Sequence, residues 1–275
     1  MKKVLSLVLV LIMCTALFCG CNSETEKKTI KALEDLDGCK VAVQVSTTSD
    51  DIVTELIEGG KTIEVNRYEK VTQCFDDLKL DRVDAVLVDS VVAAYYMGAE
   101  ADKFEIAWES TEGEPMGICL QKDSTELAAL IEAAVDTLYY NGKISEIAKK
   151  YFGNDFTAGL RTVTEAPAID TAKAQELTGG TLKVGTEIGY PPMEYLDDDG
   201  VTYIGFDIEI AKALAEVLGL EVEYVNTAWD GIFAALEKGE FDCIMSAVSI
   251  TPERQEKYIL TEPYVSNKQQ IVVAK

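Results

Sequence analysis

Strand and helix signals alternate along this chain in two blocks, and that alternation restricts the fold more than any other feature. In the first block, Lys40-Val41-Ala42-Val43-Gln44 and Val83-Asp84-Ala85-Val86-Leu87-Val88 read as buried strands, with shorter ones at 62–66, 104–108 and 116–121. Helical periodicity covers 49–58, 68–80, the stretch after Val88 to Met97, 124–140 and 143–151. The second block has strands at 181–186, 220–225, 242–246 and 270–274, and helices at 206–218 and 231–238. Alternation of this kind predicts βαβ units, mainly parallel sheets and the α/β class. Between the blocks, 154–180 lacks a period, is rich in Thr and Ala and ends in Gly179-Gly180. It reads as a linker with about one helical turn.

A length of 275 residues is enough for two lobes, each with its own core. The formal net charge of −23 disfavours nucleic acid, whose phosphates need Lys and Arg, and an anionic lipid surface. There is no histidine. That removes the commonest general base, the usual Ser-His and Cys-His pairs and the commonest zinc ligand, so no catalytic residue, metal site or cofactor is assigned. Cys39, Cys74, Cys119 and Cys243 lie far apart in or beside apolar stretches, without a C-x-x-C spacing, and read as small buried hydrophobes with their disulfide state left open.

At the N-terminus, Lys2-Lys3 precedes an apolar run at 4–18, shorter than the roughly 20 residues of a bilayer span. It reads as a signal peptide, 1–20. Leu17-Phe18-Cys19-Gly20-Cys21 resembles a lipobox with Cys21 as the lipidated residue, so 21–37 is expected to be a lipid anchor and tether. The expected location is extracytoplasmic, lipid-anchored to the cell membrane.

Further motifs follow the linker: Val184-Gly185-Thr186-Glu187-Ile188-Gly189-Tyr190-Pro191-Pro192-Met193-Glu194, Gly205-Phe206-Asp207-Ile208-Glu209, and Ser246-Ala247-Val248-Ser249-Ile250-Thr251-Pro252-Glu253-Arg254. Before it stand Val43-Gln44-Val45-Ser46-Thr47-Thr48, Arg82 to Asp89, and Asn141-Gly142 leading to Tyr151-Phe152-Gly153. Jointly these resemble the polar amino-acid-binding proteins of ABC importers, extracellular solute-binding family 3, over roughly 30–153 and 181–275. The resemblance implies a two-lobed, type II periplasmic-binding-protein-like fold that captures a free amino acid by hinge closure. It also implies the membrane subunits of an ABC importer as partners and no enzymatic activity. An enzyme on the same fold, of the cyclic acid dehydratase kind, and an external sensor domain are the alternatives.

The resemblance also places the site. An α-carboxylate wants a guanidinium fork and neutral donors, which Arg254 and Ser249 supply. Thr47 and Thr48 donate from the other lobe, at the start of a helix. Asp89, ending a buried strand, faces the α-ammonium. Tyr190 and Trp229 sandwich the side chain of the ligand, Glu187 meets its polar end with Gln44 sharing that task, and Ala247 completes the site. A carboxylate at Glu187 favours a basic or amide amino acid over an acidic one. The chain departs from its relatives at Ser46, where they commonly have Gly.

In the family, the stretch resembling 181–275 comes first; here the order is reversed, so the fold is expected to be circularly permuted. The expected division is a smaller lobe at 38–111, a hinge crossover with part of the larger lobe at 112–153, the linker at 154–180 and the rest of the larger lobe at 181–275. With one crossover cut, only the stretch near 110–117 is expected to join the lobes, with the last strand pairing beside it. A monomer is expected, with a domain-swapped dimer as the alternative.

Overall fold

The structure, a computed structural model, describes residues 28–275. The expected signal peptide at 1–20 and the lipidated Cys21 lie outside the described residues. No helix among the described residues is long and apolar enough to cross a membrane.

A 3₁₀ turn, Leu33–Leu36, leads into β1 (Lys40–Gln44), α1 (Thr48–Glu58), β2 (Glu64–Tyr68), α2 (Val71–Lys79), β3 (Ala85–Asp89), α3 (Ser90–Ala99) and β4 (Phe104–Glu109). The chain then crosses to β5 (Cys119–Gln121), α4 (Thr125–Tyr140), α5 (Lys143–Phe152), α6 (Thr171–Thr178) and β6 (Thr181–Thr186). There follow the hairpin β7 (Tyr195–Leu196) and β8 (Tyr203–Ile204), α7 (Phe206–Leu218), β9 (Glu221–Asn226), α8 (Trp229–Glu237), β10 (Cys243–Ile244), α9 (Pro252–Lys257), β11 (Tyr258–Leu260) and β12 (Gln269–Ala274).

Two five-stranded mixed sheets result, in the orders β2-β1-β3-β12-β4 and β11-β5-β10-β6-β9. Within the first, β1 runs parallel to β2 and β3, and β12 runs antiparallel to β3 and β4. Within the second, β6 runs parallel to β9 and β10, while β5 is antiparallel to β10 and β11. Each sheet, with its helices, forms one lobe of a two-lobed α/β architecture. Helices cover the sheets because their apolar residues recur on one face. Val71, Cys74, Phe75 and Leu78 of α2 are all buried, with the Phe75 ring stacked on Tyr96 of α3. Phe206, Ile210, Leu214 and Leu218 do the same for α7. Cys39, Cys74, Cys119 and Cys243 are buried free thiols.

The structure corrects several expectations. Tyr68 does not open a helix; it ends β2 in register with Gln44, and α2 starts three residues later. The strand expected at 116–121 shrinks to β5, with Met116 making isolated bridges to Ser249 and Val265 instead. The segment 154–180 is more than a tether. Arg161 pins it to the larger lobe through Glu132 at 2.6 Å, Asp136 at 2.8 Å and the Pro263 carbonyl at 2.9 Å. It also contains α6, capped by Asp170, whose side chain accepts from the Lys173 N–H at 2.9 Å, and anchored by the buried Ala174.

The largest correction concerns 181–275. Its last strand, β12, belongs to the smaller lobe's sheet, where its apolar residues fill the gap between β3 and β4. The chain therefore crosses between lobes twice, at 110–118 and at 261–268, and not once. The crossings run side by side, tied by Ser110 N–H to Gln269 O at 2.8 Å, Glu114 N–H to Asn267 O at 2.7 Å and Met116 N–H to Val265 O at 3.1 Å.

Candidate functional site

In sheets of this kind, ligand sites form beyond the C-terminal ends of parallel strands. Here β1 ends at Gln44 and β3 at Asp89 in one lobe; β6 ends at Thr186 and β10 at Ile244 in the other. The loops that leave these strand ends face each other across the crossings and enclose a small cavity. Gln44, Thr47, Thr48 and Asp89 line it from the smaller lobe, and Glu187, Tyr190, Trp229, Ala247, Ser249 and Arg254 from the larger. Every residue singled out for the site in the sequence is brought to this one cavity.

Direct bonds span the lobes around it. Gln44 Nε2 donates to Glu187 Oε2 at 2.7 Å, Tyr190 Oη to Asp89 Oδ2 at 2.5 Å, and Trp229 Nε1 to the Ser46 carbonyl at 2.9 Å. Ser46 holds that carbonyl in place with a left-handed φ of 61°. That conformation suits the glycine common in the resembling family and is strained for serine. Ala247, with φ 50°, is the other left-handed residue on the cavity; its N–H is fixed by Asp207 Oδ2 at 2.8 Å. Gly205 lets the loop carrying Tyr190 dock on α7: its φ is 136°, and a Cβ there would lie 2.2 Å from the Met193 carbonyl oxygen.

The electrostatics are dominated by buried carboxyls. Asp89 accepts from Asn267 Nδ2 at 2.6 Å and Gln269 Nε2 at 2.8 Å besides Tyr190, yet burial and then the charge of Glu114 push its carboxyl above the usual range. Burial pushes Glu187 up to about 7, opposed by the Gln44 hydrogen bond and by Lys70. Glu194 is also driven well up, by burial and by Asp207 beside it, while Ser246 Oγ donates to its Oε1 at 2.6 Å. Arg254 donates from Nη1 to the Ser249 carbonyl at 3.0 Å, and its guanidinium lies 5.4 Å from the Trp229 ring centroid and 5.3 Å from that of Phe233. Such a site can hold a small zwitterion with a polar or cationic tail. Among the described residues there is no cluster of three or more metal-ligating side chains.

Several participants escaped the sequence reading. Glu194 and Ser246 line the cavity and lay inside the quoted motifs, at their last and first positions. Glu114 and Asn267 come from the two crossings and Gln269 from the first position of β12, where no motif signals them.

Comparison with known proteins bears on the second block. Residues 182–275 match the model of bacterial extracellular solute-binding proteins, family 3. The stretch carrying Glu187, Tyr190, Trp229, Ser249 and Arg254 thus carries the family's pattern. The chain is 41% identical over 96 residues to the L-cystine-binding protein TcyJ of Escherichia coli strain K12, covering 35% of this chain and 36% of that one. It is 40% identical over 88 residues to a probable histidine-binding protein of Campylobacter jejuni, covering 32% and 34%. The arginine-bound form of domain 1 from TmArgBP is 33% identical with a TM-score of 0.32, covering 39% of this chain and 87% of that one. The chain spans about a third of the length of the curated relatives it matches.

Proposed function

We propose that this protein captures a free amino acid with a basic or amide side chain between its lobes, outside the cytoplasm, and delivers it to an ABC importer. The observation that carries this reading is the convergence of Arg254, Ser249 and Thr48 with Asp89 on one inter-lobe cavity. A cation and hydroxyls suit an α-carboxylate, and a buried carboxylate suits an α-ammonium. Glu187 and Gln44, hydrogen-bonded to each other on the same cavity, favour a cationic or amide tail. Relatives named for histidine and arginine fit that preference, whereas the cystine for which TcyJ is named is neither a basic nor an amide amino acid. They are named as binding proteins, in keeping with a carrier role rather than an enzyme.

The reading includes the exchanged order of the halves, closing within one chain: both walls of the cavity come from the same molecule, and β12 returns to complete the smaller lobe's sheet. It also includes a lipid anchor at Cys21. A thermal-melting screen against the common amino acids and cystine tests it. One or a few basic or amide amino acids at micromolar concentration are expected to raise the melting temperature, and Arg254→Ala should abolish the rise. No shift with any of them would refute the substrate class.

A further inference from the structure

Glu114 stands in the first crossing, outside every motif that pointed to the cavity. Its Oε1 accepts from Thr48 Oγ1 at 2.7 Å in the smaller lobe, from Ser249 Oγ at 2.6 Å in the larger, and from Gln269 Nε2 at 3.1 Å at the start of β12. Among the charges that support the ionised Arg254 guanidinium against its desolvation, that of Glu114 is the largest. Donors from both lobes therefore converge on one carboxylate oxygen, with a guanidinium close enough to feel its charge. This is the donor set of an anion subsite. Two of its hydroxyls, Thr48 and Ser249, are those assigned above to the carboxylate of the ligand. The Glu114 backbone is held by its N–H bond to the Asn267 carbonyl at 2.7 Å, whereas its side chain is only half-buried.

We propose that Glu114 is a tethered surrogate for the ligand's carboxylate, bridging Thr48 and Ser249 to hold the lobes together until an amino acid displaces it. The proposal rests on the amino-acid reading of the site. A side chain attached beside its own subsite competes at high effective concentration. The ligand then binds with its intrinsic affinity reduced by the fraction of molecules in which Glu114 has swung out. The same contact gives the lobes a closing bond that needs no ligand.

The test compares wild type with Glu114→Ala and the near-isosteric Glu114→Gln. Calorimetric titration with L-arginine and with L-arginine methyl ester reads the competition. Small-angle X-ray scattering without added ligand reads the bridge. Glu114→Ala should bind L-arginine roughly tenfold more tightly, bind the ester within about twofold of wild type, and show a larger radius of gyration. Glu114→Gln should fall between the two. Unchanged or weakened L-arginine binding in both variants overturns the competition. An unchanged radius of gyration in Glu114→Ala overturns the bridge whatever binds. If scattering shows the opening but no common amino acid binds any of the three proteins, the amino-acid reading is what fails, and the surrogate role falls with it.

Discussion

Replacing Asp89 by Asn separates the work of this carboxylate in binding from its burden in folding. The side chain is buried and receives Tyr190 Oη, Asn267 Nδ2 and Gln269 Nε2. An Asn keeps one oxygen for the two amide donors and turns its own amide toward Tyr190, whose hydroxyl can accept. The buried Tyr190 O–H then loses its acceptor, at a cost of about 1–3 kcal/mol, set against relief from burying an ionised carboxylate. The sign of the pH dependence is set by desolvation. Burial raises the Asp89 carboxyl above its unfolded value. Its ionised form therefore costs stability at high pH, so the stability of the variant relative to wild type should rise with pH and fall as the solution is acidified. Binding behaves oppositely. Removing one partner of a buried ion pair costs about 3–5 kcal/mol, and each 1.4 kcal/mol is tenfold in affinity. Because part of the wild-type population is protonated at neutral pH, the lower end applies, a loss of about a hundredfold. Titration calorimetry with the ligand found by melting, beside urea unfolding of both proteins, measures the two effects. Affinity within threefold of wild type, or a fall in stability that accounts for the lost binding, would refute the pairing of Asp89 with the ligand's ammonium.

Two further outcomes follow from the geometry. Glu187, raised to about 7 by burial, must ionise to meet a cationic side chain. Affinity for a basic amino acid should weaken as the pH falls below 7 and level off above it; Glu187→Gln should keep only the part of that slope due to Asp89, and a wild-type slope no steeper than the variant's would sink the assignment. At Gly205, an added Cβ would meet backbone 2.2 Å away, in a conformation with φ of 136°. Gly205→Ala should therefore lose about 3 kcal/mol or more in urea unfolding, and a loss under 1 kcal/mol would mean that the loop carrying Tyr190 relaxes freely.

The parts that could be read from sequence are those with local physical signatures. Continuous apolar runs marked β1 and β3, and the spacing of Val71, Cys74, Phe75 and Leu78 marked α2. Motifs at strand ends marked the cavity residues. What stayed hidden depends on contacts distant along the chain. Helix α6 presents one buried residue, Ala174, too little for a period to show. Tyr68 has the composition of a helix start and is claimed for β2 by its ladder with β1. The sheet that receives β12 is undetermined by its own residues, since Gln269–Ala274 would suit the centre of either sheet. Glu114 carries no pattern because its role arises only where two crossings bring both lobes within reach of one carboxylate.

The position of β12 also sets the order in which this molecule can fold. It lies between β3 and β4, and its Gln269 meets Asp89 across a chain separation of 180 residues. A ribosome that has released β1 to β4 has made all but one strand of the smaller lobe's sheet, yet β4 has no neighbour to pair with until β12 emerges. The smaller lobe must wait for the end of the larger one. Contacts of such separation are entropically expensive and slow to form. The half begun first is the half finished last, and the larger lobe's wall of the cavity precedes the one it closes against.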